Sequence, residues 1–159
     1  MDLRIDAGEI AGFAGRGDEA AHMAARELRI AAYDAGALVL RSAQDLAPVD
    51  TGLLVSAIGP VEVRGGLREV TALVPVGSQA PYAAAVEFGR GPVTIRPRRA
   101  KALRFRAGGD TVFARVVTQP ARRGRPFMGP ALDRETASIL TAFRAACERA
   151  FAWWGERAA

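Results

Sequence analysis

The chain has one cysteine (Cys147), one histidine (His22) and one lysine (Lys101) in 159 residues. A lone cysteine excludes an intramolecular disulfide framework, and with one histidine there is no Cys/His cluster at metal-ligand spacing. A lysine with no glycine loop before it excludes the G-x-x-x-x-G-K-[ST] phosphate cradle. No apolar run approaches the roughly 20 residues of a bilayer span, and the first twenty residues lack the basic-then-apolar layout of a signal peptide. The expectation is a soluble protein made in the cytosol, with no membrane contact and no cofactor. Half the residues are apolar, enough for one domain with a core and too few for two. The chain is read as a single domain, 1–159, carrying a basic β-hairpin insertion at about 92–124.

Charge is distributed unevenly. Arg90, Arg96, Arg98, Arg99, Lys101, Arg104, Arg106, Arg115, Arg122, Arg123 and Arg125 are opposed within their stretch only by Asp110. That surplus of ten lies in a chain of formal net charge +5, so the rest is net negative by five. The basicity belongs to one segment, and almost all of it is arginine, whose planar guanidinium forks onto phosphate or carboxylate. The plain alternative is a solvated, solubilising face.

Hydrophobic periodicity orders the rest. A strand-like start at Leu3 and Ile5 precedes a glycine-broken stretch, after which Asp18 is placed to cap a helix with Glu19 in its first turn. From Met23, the larger or small apolar residues Leu28, Ala31, Tyr33, Ala35, Leu38, Val39, Ser42 and Leu46 recur at threes and fours. Gly36 inside this helix costs about 1 kcal/mol against alanine and implies close packing there. Pro48 ends the helix, and Asp50 or Thr51 is expected to cap a short second one through Leu53, Leu54, Ala57 and Ile58. Val61 to Val76 alternates around a Gly65-Gly66 turn, a hairpin. Tyr82 and Val86 are spaced as on a short helix ended by Gly89. A second, arginine-carrying hairpin alternates Leu103 and Phe105, turns at Gly108-Gly109-Asp110, and alternates again through Val112, Ala114 and Val116 opposite Phe113 and Arg115. Pro130 opens a final helix with Asp133 and Glu135 in its first turn and an apolar stripe of Leu132, Ile139, Leu140, Phe143, Ala146, Cys147, Ala150, Phe151 and Trp154. These elements predict an α+β fold: an antiparallel sheet of two hairpins packed against a long N-terminal and a long C-terminal helix.

Catalytic chemistry finds little support. Asp50-Thr51-Gly52 has the letters of an aspartic protease turn, but such a site needs two carboxylates about 3 Å apart on loops leaving buried strands. Asp50 instead follows a helix and a proline, and no second D-T-G or D-S-G exists, although a homodimer could supply one. Ser42, Ser56, Ser78 and Ser138 have only His22 to activate them and no G-x-S-x-G around them. Cys147 lies on an apolar stripe, where an inert thiol is the better expectation, and His22 is read as solvated. Trp153 and Trp154 are read as core or subunit interface, with an exposed partner anchor as the alternative. The expectation is a protein that is not an enzyme.

Three motifs in order carry a resemblance: P-x-D-T-G at Pro48 to Gly52, Y-A-x-x-V-E-F-G at Tyr82 to Gly89, and R-P-F at Arg125 to Phe127. With the helices around them they cover about Asp18 to Phe151, and the chain resembles the head-tail joining or tail-completion (neck) proteins of long-tailed double-stranded DNA phages. The resemblance implies a structural virion protein that completes or terminates the tail and joins it to the DNA-filled head. It implies a homo-oligomeric ring of six copies, adjoining head-connector and tail-tube proteins, and a place at the neck of the virion after synthesis in the host cytoplasm. A prophage or gene-transfer particle would read identically. The family motif residues Pro48, Asp50, Thr51, Gly52, Tyr82, Glu87, Phe88, Gly89, Arg125, Pro126 and Phe127 are then architectural. Asp50 and Thr51 would cap the short helix, Gly52 would allow its close approach to a neighbour, Tyr82 and Phe88 would pack the core or seam, and Glu87 would pair with an arginine such as Arg125. Arg96, Arg98, Arg99, Lys101, Arg104, Arg106, Arg122 and Arg123 form a basic contact segment for a neighbouring ring, the preferred partner, or for DNA in the lumen. The arginine hairpin departs from shorter family members. From a different class, a free-standing basic nucleic-acid-binding module remains the alternative.

Overall fold

The computed structural model describes residues 17–67 and 69–158. The strand-like start at Leu3 and Ile5 lies outside them, as does the side chain of Asp18, the expected N-cap. Two compact units emerge: the described residues up to Pro81 together with those from Phe127, and the stretch Tyr82–Pro126.

In the first unit, α1 (Gly17–Leu46) and α4 (Met128–Ala158) pack along each other. Two side-chain pairs fix their sense. Ser42 Oγ, buried, donates to the Glu135 carboxylate, and Arg149 Nε donates to Glu27 at 2.7 Å. The later α1 residue meets the earlier α4 residue, so the helices are antiparallel. The buried side chains of the two helices are mostly small, among them Ala25, Ala32, Ala35, Ala43, Ala131 and Ala146.

A second side of α1 carries the hairpin of β1 (Glu62–Gly65) and β2 (Val70–Leu73), in register Val63↔Ala72 and Gly65↔Val70. Gly36 faces it, and a Cβ there would lie 2.5 Å from Val61 Cγ1. The close packing that a glycine inside a helix implies is therefore supplied by this hairpin. Gln44, two turns on, donates to the Ile58 carbonyl at 3.4 Å. α2 (Leu53–Ala57) is joined to the strand exit by Gly59 N to Pro75 O at 2.8 Å and Gly77 N to Ala57 O at 2.7 Å.

The second unit opens with α3 (Ala83–Phe88), followed by β3 (Val93–Ile95), β4 (Leu103–Ala107), β5 (Asp110–Ala114) and β6 (Val117–Gln119). β4 and β5 form the expected hairpin around Gly108 and Gly109, both at positive φ. β3 and β6 pair as a second ribbon, with Thr94 opposite Thr118.

The fold is α+β: the long N- and C-terminal helices pack on each other, and in the same unit the antiparallel β1–β2 hairpin packs against α1. The strands stand as three separate two-stranded sheets, β1–β2, β3–β6 and β4–β5. Two features of the last helix depart from expectation. It starts at Met128, so its first turn holds no acidic residue and Asp133 and Glu135 come later. Its apolar stripe divides: Ala146 is buried, Ile139, Phe143, Cys147, Ala150 and Trp154 are half-buried, and Leu132, Leu140 and Phe151 stand exposed. The partner face of α1 is a narrow line of alanines, and a single facing helix covers only a narrow seam.

Candidate functional site

The P-x-D-T-G motif works through its glycine. Gly52 occupies the N-cap of α2 at φ 78, in the left-handed region, and its carbonyl accepts the first helical hydrogen bond, from Ser56 N at 3.0 Å. Asp50 and Thr51 are exposed and make no capping bond, which corrects the expectation that they cap the helix. The cap position falls one residue later than the letters suggest, on a residue without a side chain. Nor does Gly52 provide room for a close approach within the chain, since a Cβ there would meet nothing within 4 Å. Conformation alone demands glycine. Gly52→Ala should cost about 1–2 kcal/mol for the left-handed backbone, whereas Asp50→Ala should stay within about 0.5 kcal/mol, as surface changes do. Denaturant unfolding of the two variants checks this. Pro48, half-buried just past α1, is placed to end that helix.

Y-A-x-x-V-E-F-G and the residues leading into R-P-F meet inside the second unit. Gly89 ends α3 at φ 80. Directly after it, Arg90 and Arg122 exchange backbone hydrogen bonds at 2.9 and 2.8 Å, and Arg125 N donates to Val86 O at 2.7 Å. Gly89 and Gly124 lie so close that a Cβ on Gly89 would sit 2.7 Å from Gly124 N, and one on Gly124 2.5 Å from Glu87 O. The spacing of Y-A-x-x-V-E-F-G and of the residues before R-P-F is thus the spacing of a backbone clasp. Glu87 is half-buried on α3. Tyr82 and Phe88 are exposed, Phe88 to 84%, so neither is core in this chain. Arg125 and Pro126 are exposed and Phe127 is buried.

Every member of the basic contact segment, Arg96, Arg98, Arg99, Lys101, Arg104, Arg106, Arg122 and Arg123, is exposed. Among the described residues Arg64 pairs with Glu62, Arg134 with Glu135, and Arg149 with Glu27. Within the second unit Arg90 Nη2 donates to the Gln119 side chain at 2.6 Å, across the base of the β3–β6 ribbon. The hairpin register sorts the remainder. Leu103, Phe105, Val112 and Ala114 share one face of β4–β5, and Arg104, Arg106, Thr111 and Phe113 share the other. The first face is largely half-buried and the second fully open. Phe113, directly opposite Arg104 and 67% exposed, belongs to this surface although charge counting alone passes over it; its signal in the sequence is an aromatic at the odd position of an otherwise apolar-even strand.

Elsewhere, Cys147, Trp153 and Trp154 are half-buried on α4, and His22 is exposed on α1. Among the described residues no group of three or more His, Cys, Asp or Glu side chains is placed to hold a metal, and no helix is long and apolar enough to cross a membrane. Ser42, the buried serine, donates to Glu135 and serves the helix pair. Comparison with protein-family models, with curated proteins and with solved structures finds no match.

Proposed function

We propose that this chain is a structural subunit of the neck of a long-tailed double-stranded DNA phage or related particle. In that role it assembles as a ring, of six copies by the resemblance, that completes or terminates the tail and joins it to the DNA-filled head. It acts by fit, without catalysis or cofactor. Its neighbours are copies of itself, the head connector above and the tail tube below.

The observation that carries this reading is the distribution of apolar side chains. The buried hydrophobic set is mostly alanine, with Val39, Leu54, Ile58 and Phe127 the larger members. Large side chains meanwhile stand exposed on every element class: Ile30 and Tyr33 on α1, Phe88 on α3, Val93 and Ile95 on β3, Leu132, Leu140 and Phe151 on α4. Isolated exposed leucines are ordinary on a monomer, but exposure on this scale marks surfaces that another protein covers. The three ordered motifs support the specific assignment, and the glycine clasp gives two of them an architectural reason.

The test is assembly. Native mass spectrometry and sedimentation of the purified chain should find a closed oligomer, and particles lacking the subunit should accumulate heads and tails that do not join. Phe88→Ser should leave unfolding within about 0.5 kcal/mol of the parent, because the ring is solvated in the lone subunit. It should weaken subunit association by about 2 kcal/mol, the range of a buried aromatic anchor. A parent chain that stays monomeric at micromolar concentration, in particles whose heads and tails join without it, would overturn the proposal.

A further inference from the structure

We infer that the arginine face of the β4–β5 hairpin takes a single strand of nucleic acid, with phosphates on Arg104 and Arg106 and an unstacked base on the Phe113 ring. The inference does not rest on the neck assignment. Antiparallel partners project to the same side of a ribbon, so the pairs Arg104↔Phe113 and Arg106↔Thr111 set four side chains on one face. Arg104 and Arg106 are two residues apart on one strand and hence about 6.8 Å apart along it, a step suited to successive phosphates of an extended chain. The hairpin's one carboxylate, Asp110, pairs with Ala107 in the same alternation as Phe105 and Val112, on the opposite face. Nothing anionic shares the arginine face.

The aromatic decides between partners. An acidic protein surface would satisfy the guanidiniums and could pack apolar side chains on the ring, but it does not repeat an anion and a flat π-face at every unit as a nucleotide strand does, and here the ring lies directly opposite Arg104. Duplex DNA would also satisfy them, yet its bases are stacked and paired, leaving Phe113 only the sugar-phosphate wall. A single strand presents both phosphates and π-faces, and the combination of a cationic track with a stacking aromatic is the recurrent solution for holding one. Arginine beside the ring strengthens the platform, because a guanidinium itself stacks on bases. On the opposite face of the same hairpin Leu103, Val112 and Ala114 are half-buried, whereas Arg104, Arg106, Thr111 and Phe113 are all exposed, so the arginine face is the more open to a ligand.

The experiment titrates the full-length chain against a labelled oligothymidylate and a labelled duplex of the same length, across a range of salt. Phe113→Ala should weaken the oligothymidylate complex by about 5- to 150-fold, the loss of one stacked base, and leave the duplex unchanged; Phe113→Trp should restore binding. Replacing Arg104 and Arg106 by Gln should weaken both complexes and reduce the single-strand salt slope by about 1.4, the release from two phosphates. Because all these side chains are exposed, circular dichroism should find each variant folded. Failure of the parent to bind oligothymidylate, an equal effect of Phe113→Ala on both probes, or displacement by polyglutamate as effective as by oligothymidylate would each overturn the inference, the last in favour of an acidic protein partner. None of these readouts involves a particle, so the outcome is separate from that of the assembly test.

Discussion

Gly124→Ala is expected to open the second unit while leaving the helix pair folded. A Cβ at this position would lie 2.5 Å from Glu87 O, 2.8 Å from Gly89 N and 2.8 Å from Phe88 C. All three are backbone atoms at the end of α3, so no rotamer change relieves the clash, and the main chain itself must move. The movement breaks what the close approach permits: the paired hydrogen bonds between Arg90 and Arg122 and the bond from Arg125 N to Val86 O. Overpacking typically costs about 1–3 kcal/mol, and a clash confined to backbone belongs at the top of that range. At about 3 kcal/mol the amides of Arg90, Arg122 and Arg125 should lose about two decades of hydrogen-exchange protection. Amides in the middle of α1 and α4 should keep theirs. Gly89→Ala should be at least as severe, since it adds a left-handed φ of 80 to a Cβ 2.6 Å from Arg122 O. Unchanged exchange at Arg90 and Arg122 in the Gly124→Ala variant would mean that the clasp does not hold this unit together.

How much of this was legible beforehand depends on whether the determinant was local. The two long helices, the short ones and the β1–β2 and β4–β5 hairpins were readable because periodicity and turn glycines act over a few residues. The β3–β6 ribbon was not. Its strands have three residues each, Pro92 and Pro97 flank β3, and the pairing of Val93 with Gln119 spans the entire second hairpin. The P-x-D-T-G stretch misled because Asp and Thr before a helical run carry the letters of a cap, while the chain places Gly52 itself at that position with a left-handed backbone that glycine adopts without a Cβ penalty. The apolar stripe of α4 was drawn too wide for a comparable reason. Helical spacing reports that Leu132, Leu140 and Phe151 belong to an apolar side, but only the partner helix determines how much of that side is covered. The basic segment was evident from charge alone and the alternation already set Phe113 opposite Val112 and Ala114, whereas placing Phe113 on the same face as Arg104 and Arg106 required the register.

Phe127→Ala should be the most destabilising single truncation in the first unit. Phe127 is 1% exposed and is the one large side chain among the described residues that is fully buried. It directly precedes α4, and its carbonyl accepts from Ala131 N at 3.2 Å, so the ring anchors the point at which the last helix begins. Large-to-small changes of this kind cost about 3–5 kcal/mol, and the value rises with the cavity that remains. Here the cavity should remain. The unit's buried apolar set is dominated by alanine, and alanines have no side-chain torsion with which to reach into a void, so filling it would require movement of helix backbones already locked by Ser42–Glu135 and Glu27–Arg149. The cost should therefore sit in the upper half of the range, a fall in thermal midpoint of about 8–20 °C at the 2–4 °C per kcal/mol of a domain this size. Phe127→Leu, which keeps most of the volume, should cost about 1.5 kcal/mol or less. Arg125→Ala, two residues earlier, should be nearly neutral, because the exposed residue contributes its backbone amide, which alanine retains. Thermal unfolding of the three variants separates the roles within R-P-F: a Phe127→Ala midpoint no lower than that of Arg125→Ala would remove the ring as the anchor of α4 and leave the motif without a core function.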